Sequence, residues 1–139
     1  MNWLSVLLTL LASLASSPQV HWTAVLGDLD EARAAAFSAG DPSLLDRVYA
    51  RGASGREVDA ATIRAYARRG GRVTGAQLML LSCRLDESSS RRVRLAVVDR
   101  LGAARVVWAD GSSRSLPRDL PTKHRVTLVR TAEGWRIGD

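Results

Sequence analysis

Apolar side chains recur along residues 21–39 at the spacing of a helix. Trp22, Val25, Leu26, Leu29, Ala32, Ala36 and Phe37 fall on one stripe, while Asp28, Glu31 and Arg33 fall mostly off it. Gly40 suits the left-handed position that ends such a helix. Asp41 or Ser43 can cap a second, short one, with Pro42 in its first turn. Leu44, Leu45, Val48 and Tyr49 make that element amphipathic, so the Gly-Asp-Pro hinge turns the chain between two helices sharing one core. The stretch "ARGASGRE" reads as a loop. Asp59 then caps a third helix with Ile63 and Tyr66 on its buried side, ended by Gly70-Gly71. Asp28, Asp30 and Asp46 fall on helix faces that read as solvated.

After Gly71 the pattern changes period. "RVTGAQLMLLSCRL", "RRVRLAVVDRL", "ARVVWAD" and "HRVTLVRTAEGWRI" are β-branched and partly alternating, with turn signals between them. Val93, Leu95 and Val97 alternate with Arg92, Arg94 and Ala96, which gives one covered face and one solvated face. "DESSSRR" and "ADGSS" serve as hairpin connections, and Glu133-Gly134 joins the last two strands. Helices first and antiparallel strands after them predict an α+β domain with segregated layers: a curved sheet covered by three N-terminal helices around an open-ended core.

Composition narrows this picture. A chain of 139 residues, 46% hydrophobic and 24% charged, is one ordinary globular domain rather than a disordered tail. The net charge of +6 is almost wholly arginine, with Lys123 the only lysine. The arginines are scattered in sequence, which favours compositional drift over a dedicated anion site. Cys83 is alone, so the chain has no internal disulfide, and its apolar setting reads as a small hydrophobe. Residues 1–17 contain no charged side chain. Leu4–Leu14 is too short for an ordinary membrane span but suits the apolar region of a signal peptide. Ser13 with Ala15, or Ala15 with Ser17, would satisfy the cleavage site. A basic leading region is missing, and a hydrophobic helix docked on the domain is the other reading. The expected organisation is therefore a signal peptide over 1–17 and a secreted or extracytoplasmic domain over 18–139.

An Ala-rich helix running into "AFSAGDPSLLDRVYA", a further helix, and a strand series closing on "EGWRI" resemble the nuclear transport factor 2-like (SnoaL-like) superfamily. More narrowly, they are similar to small secreted actinobacterial proteins of that fold. The resemblance spans roughly residues 22 to 137, about one domain. It implies a cone whose mouth can hold a small molecule, in a superfamily containing enzymes, binding modules and interaction domains, often as homodimers. Fold alone therefore does not give function. Enzymatic members place Asp, His or Tyr on inward-facing positions.

Against that expectation, Asp99 is the carboxylate of most interest, since an inward one could act as acid or base. Arg100 beside it and the Leu101-Gly102 turn favour an exposed strand-end ion pair instead. Tyr49 and Tyr66 could offer hydroxyls to a ligand, and Trp108 and Trp135 could line a pocket; all four also suit a core. His21 and His124 read as solvated, and two distant histidines make no metal set. No nucleophile elbow, P-loop or zinc-protease motif occurs, and no cofactor is implied. "ARRGGR" and "SSSRRVR" lack the interleaved aromatics of a single-stranded nucleic-acid site.

Three functional readings follow. The leading one is a non-catalytic exported domain binding a small molecule or a protein. The second is an isomerase, dehydratase or hydrolase using Asp99 with Tyr49 or Tyr66. The third is an arginine surface, from Arg91, Arg92 and Arg94 with Arg114 and Arg118, for anionic lipid or wall polymer.

Overall fold

The computed structural model describes residues 18–139. The segment assigned to a signal peptide lies outside them. Helix α1 (Pro18–Ala39) leads into a 3-10 helix (Pro42–Arg47) and then α2 (Ser54–Arg68). Seven strands follow: β1 (Gly71–Thr74), β2 (Leu78–Ser88), β3 (Arg92–Leu101), β4 (Arg105–Trp108), β5 (Ser113–Ser115), β6 (Thr122–Thr131) and β7 (Gly134–Gly138). The class is α+β with antiparallel strands, as the order of patterns indicates.

The strands divide into two sheets, β1-β4-β5 and β2-β3-β6-β7, rather than one. The break falls at Gly75, inside the stretch that reads in sequence as a single strand. Gly75 has φ +70°, and a Cβ there would sit 2.9 Å from the Ala103 carbonyl oxygen, so the chain can turn away here only without a side chain. Val73 and Val106 of the small sheet then face Ala36, Phe37, Leu45, Ala60 and Ile63 in one core. Leu95, Val97 and Leu128 of the large sheet face Trp22, Leu29 and Val48 in another. Helix α1 thus spans both sheets, its early turns on the large one and its late turns on the small one. Leu45, Leu95 and Leu128 are fully buried, each contributing about 1.5–3 kcal/mol of transfer free energy.

Local signals at the hinge are met. Gly40 has φ +64°, and the Asp41 carboxylate accepts from the Ser43 N–H at 3.0 Å to cap the 3-10 helix. The third helix is different from expectation. It begins at Ser54, five residues before Asp59, because the C-terminal Asp139 caps it from across the molecule. Asp139 Oδ1 accepts from the Ser54 N–H at 2.9 Å and from its hydroxyl at 2.7 Å. Asp59 is therefore an interior, buried helix residue, not a cap. Chain around Tyr49 closes the β7 edge: Ala50 N–H donates to the Ile137 carbonyl, and Ile137 N–H donates to the Val48 carbonyl, each at 2.8 Å.

Candidate functional site

Where α1 diverges from the large sheet, a cavity of about 710 Å³ opens on one side of the domain. Its apolar wall includes Leu26, Leu80, Val97, Val126 and Ile137. Alternation builds the sheet wall. Asp99 has the same parity on β3 as Val93, Leu95 and Val97, and His124 the same parity on β6 as Val126 and Leu128. Both therefore face inward. The register sets Val97 opposite His124, and Asp99 lies one inward step along β3. The imidazole Nε2 and Asp99 Oδ2 meet at 2.9 Å. Asp99 is 8% exposed. The exposed pair expected between Asp99 and Arg100 does not exist, because neighbouring strand residues point to opposite faces.

The helix wall contributes Asp30, which corrects its reading as solvated. It is partly buried and reaches across to the sheet, where Oδ2 accepts from the Leu78 N–H at 2.8 Å. Oδ1 is buried without a hydrogen-bond partner among the described residues. Burial pushes the Asp30 carboxyl above the usual range, opposed by the Leu78 bond and the Arg33 charge and reinforced by nearby Asp99. Asp30 and Asp99 thus approach one another across the same cavity.

Tyr49 also lines the cavity, but its hydroxyl is already engaged. It donates to Asp59 Oδ2 at 2.6 Å. Arg33 donates to the same carboxylate through Nε at 2.6 Å and Nη2 at 3.0 Å. Burial, and then the bond to Asp59, push the Tyr49 hydroxyl above its ordinary pKa, which keeps it a neutral donor. This three-residue cluster joins α1, the chain after the 3-10 helix and α2, and forms the floor behind the cavity.

The remaining sequence-derived candidates lie elsewhere. Tyr66 and Trp108 pack on the core of the small sheet. Trp135 packs edge-on against Trp22 at 5.0 Å between ring centroids, in the core of the large sheet. None of the three lines the cavity. Asp30 and His124 both read as solvated; His124 is indeed 39% exposed in its side chain, yet its imidazole meets Asp99 at the cavity, whereas Asp30 is partly buried. Both had a signal: Leu26, Asp30, Arg33 and Phe37 share a helix face, which puts Arg33 on the stripe rather than off it, and His124 alternates in phase with Val126. Among the described residues, no group of three His, Cys, Asp or Glu side chains is placed to hold a metal ion.

No protein-family model matches the chain, and no curated protein matches it in sequence. Solved structures do share the fold. The intermembrane-space region of chloroplast protein ARC6 aligns with TM-score 0.59 at 13% identity, covering 89% of this chain and 95% of that one. Aln2 from a Streptomyces species aligns at 0.54 and 19%, covering 88% of each. A Catenulispora acidiphila protein in complex with S-DNPA aligns at 0.53 and 17%, covering 86% and 90%. These neighbours resemble nuclear transport factor 2-like folds, and at such identities the likeness is one of fold alone.

Proposed function

We propose that this chain is a small-molecule-binding domain of the nuclear transport factor 2-like superfamily, acting outside the cytoplasm, and that its ligand occupies the cavity between α1 and the large sheet. One observation carries the reading: an apolar cavity of about 710 Å³ whose polar end gathers Asp30, Asp99 and His124, with Asp30 Oδ1 buried and unpartnered among the described residues. That volume lies within the range of pockets that enclose small ligands. A buried acceptor without a donor is costly and is satisfied by a ligand hydroxyl or amine. The ligand class is therefore a compact molecule with an apolar body and one hydrogen-bond-donating head. A neighbour of the same fold in complex with S-DNPA supports a ligand-holding role for the architecture.

A panel of hydroxylated and amino-bearing aromatic and alicyclic compounds, screened by thermal shift and followed by calorimetry, tests this. Saturable binding is expected, weakened about tenfold or more by Asp30→Asn and by Asp99→Asn in folded protein. Binding that both variants leave unchanged would overturn the assignment. The export component rests on the charge-free N-terminal segment and its short apolar run. Fractionation of a tagged full-length chain tests it, and a full-mass cytosolic product would refute it.

A catalytic reading is favoured by the 2.9 Å Asp99–His124 contact beside the apolar wall. An imidazole oriented by a carboxylate can move a proton to or from a bound molecule. Tyr49 is less suited to that role, since Asp59 holds its hydroxyl. Incubating the protein with its ligand in deuterated water separates the readings. Isotope incorporation or conversion, lost in His124→Gln, supports catalysis, and ligand recovered unchanged supports a pure binding domain.

A further inference from the structure

The outer face of the large sheet, opposite the cavity, gathers charge that looks dispersed in sequence. Strand alternation and register bring Arg84 of β2, Arg94 and Arg100 of β3, and Lys123 and Arg125 of β6 onto it. Two carboxylates oppose them: Asp86, against Arg84 at 3.3 Å and Arg125 at 3.7 Å, and Glu87, against Arg94 at 3.7 Å. Between the cations the floor is made of small side chains, Ser82, Ala96 and Val98, so an open groove of about 520 Å³ runs between Arg84, Lys123 and Arg125. Of the arginines singled out in sequence, Arg92 and Arg94 share this face of β3, with Arg92 donating to the Asp139 carbonyl at 2.9 Å, whereas Arg114 belongs to β5 on the small sheet.

Exposed apolar side chains accompany one end of this face. Met79 is 46% exposed and Leu81 51%, both at the start of β2, with Met79 the register partner of Arg100. Leu120 is 76% exposed in the loop before β6. That loop is pinned to the same sheet end, where Asp119 accepts from the Leu101 N–H at 2.7 Å. Three of the five large apolar residues most exposed among the described ones thus belong to the end of β2 that pairs with Arg100 or to the loop leading to Lys123.

We infer that this face docks on an anionic lipid bilayer, with headgroup phosphates over the small-residue groove and Leu120, Met79 and Leu81 entering the headgroup–acyl boundary. Cations with a small cluster of exposed aliphatics are what a bilayer surface requires. A soluble polyanion would leave those aliphatics in water. An RNA or DNA strand would need stacking aromatics that this face lacks among the described residues. Arg84, Arg100 and Lys123 do not line the ligand cavity, although Val97, His124 and Arg125 border both it and the groove.

Co-sedimentation of the full chain with phosphatidylcholine vesicles, with and without phosphatidylglycerol, tests it. Binding is expected on the anionic vesicles only and is expected to fall as salt is raised. Each cation at such a surface accounts for about a fivefold change in affinity, so Arg100→Glu with Lys123→Glu is expected to weaken binding by more than about tenfold. Leu120→Ser is expected to weaken it several-fold. Leu120→Trp is expected to gain a blue shift in emission on anionic vesicles alone. Equal binding to neutral vesicles, undiminished binding by the charge-reversed variant with an unchanged melting temperature, or no binding at low salt would each overturn the inference. So would a dimer, seen by analytical ultracentrifugation, that the charge reversal disperses, because the face would then be covered by a second copy.

Discussion

Gly27 sits inside α1 and lines the cavity, and a Cβ built on it meets nothing within 4 Å. This glycine has no packing reason to lack a side chain, and it holds space open. Two consequences follow with opposite signs. In a helix interior, glycine is less favourable than alanine by about 1 kcal/mol, and leucine is nearly as favourable as alanine. Gly27→Ala and Gly27→Leu are both therefore expected to stabilise the fold by about 1 kcal/mol, or about 4 °C in melting temperature for a domain of this size. The leucine also adds bulk to the cavity wall that Gly27 lines and is expected to exclude part of any ligand. Differential scanning fluorimetry reads the first effect and calorimetric titration the second. The expected pattern is a raised melting temperature in both variants, strong loss of ligand binding in Gly27→Leu, and a smaller loss in Gly27→Ala. A leucine variant that binds as tightly as the parent, or an alanine variant that melts lower, would refute the placement of Gly27 on an open wall.

Asp59→Ala removes the acceptor for Arg33 and Tyr49 at once and leaves a partly buried guanidinium uncompensated. With the Arg33 side chain 22% exposed, a loss of about 3 kcal/mol in urea unfolding is expected, below the limit for a fully buried pair. Tyr49→Phe should cost only about 1 kcal/mol, because Arg33 and Asp59 keep each other. Asp30→Asn tests the sign of a buried carboxyl. Its folded pKa is raised, chiefly by burial, so the protonated form favours the fold; that stability is present below the unfolded value and is lost as pH rises through the folded one. The asparagine variant should therefore melt higher than the parent at neutral pH. That advantage should shrink as pH falls toward about 4, the ordinary carboxylate value, as scans across the range will report. Gly75→Ala should destabilise by about 1–2 kcal/mol from the left-handed backbone alone, and by more with the Ala103 carbonyl in contact, measured by chemical denaturation.

The elements that periodicity governs were legible. The stripe from Trp22 to Phe37, the Gly40-Asp41-Pro42 hinge and the final hairpin all follow from spacing and turn chemistry. What failed was set by partners distant in sequence. "ARGASGRE" reads as a loop because its helix cap, Asp139, lies 85 residues away. Asp59 reads as a cap because its true partners, Arg33 and Tyr49, belong to other elements. The division into two sheets turns on Gly75, whose backbone meets Ala103 only in the folded chain. Within the site, Asp99 and His124 were each on the inward parity of their strands. Their contact needed the β3–β6 register, which no local pattern encodes.

A crystal structure of the chain with the compound giving the largest thermal shift is the most direct measurement. Density is expected between α1 and the large sheet, with a donor of the bound molecule within hydrogen-bonding distance of Asp30 Oδ1 and its polar end beside the Asp99–His124 pair. A molecule seated elsewhere, or a cavity closed by Leu26, Leu80 and Ile137 collapsing into it, would contradict a ligand-binding role for this site.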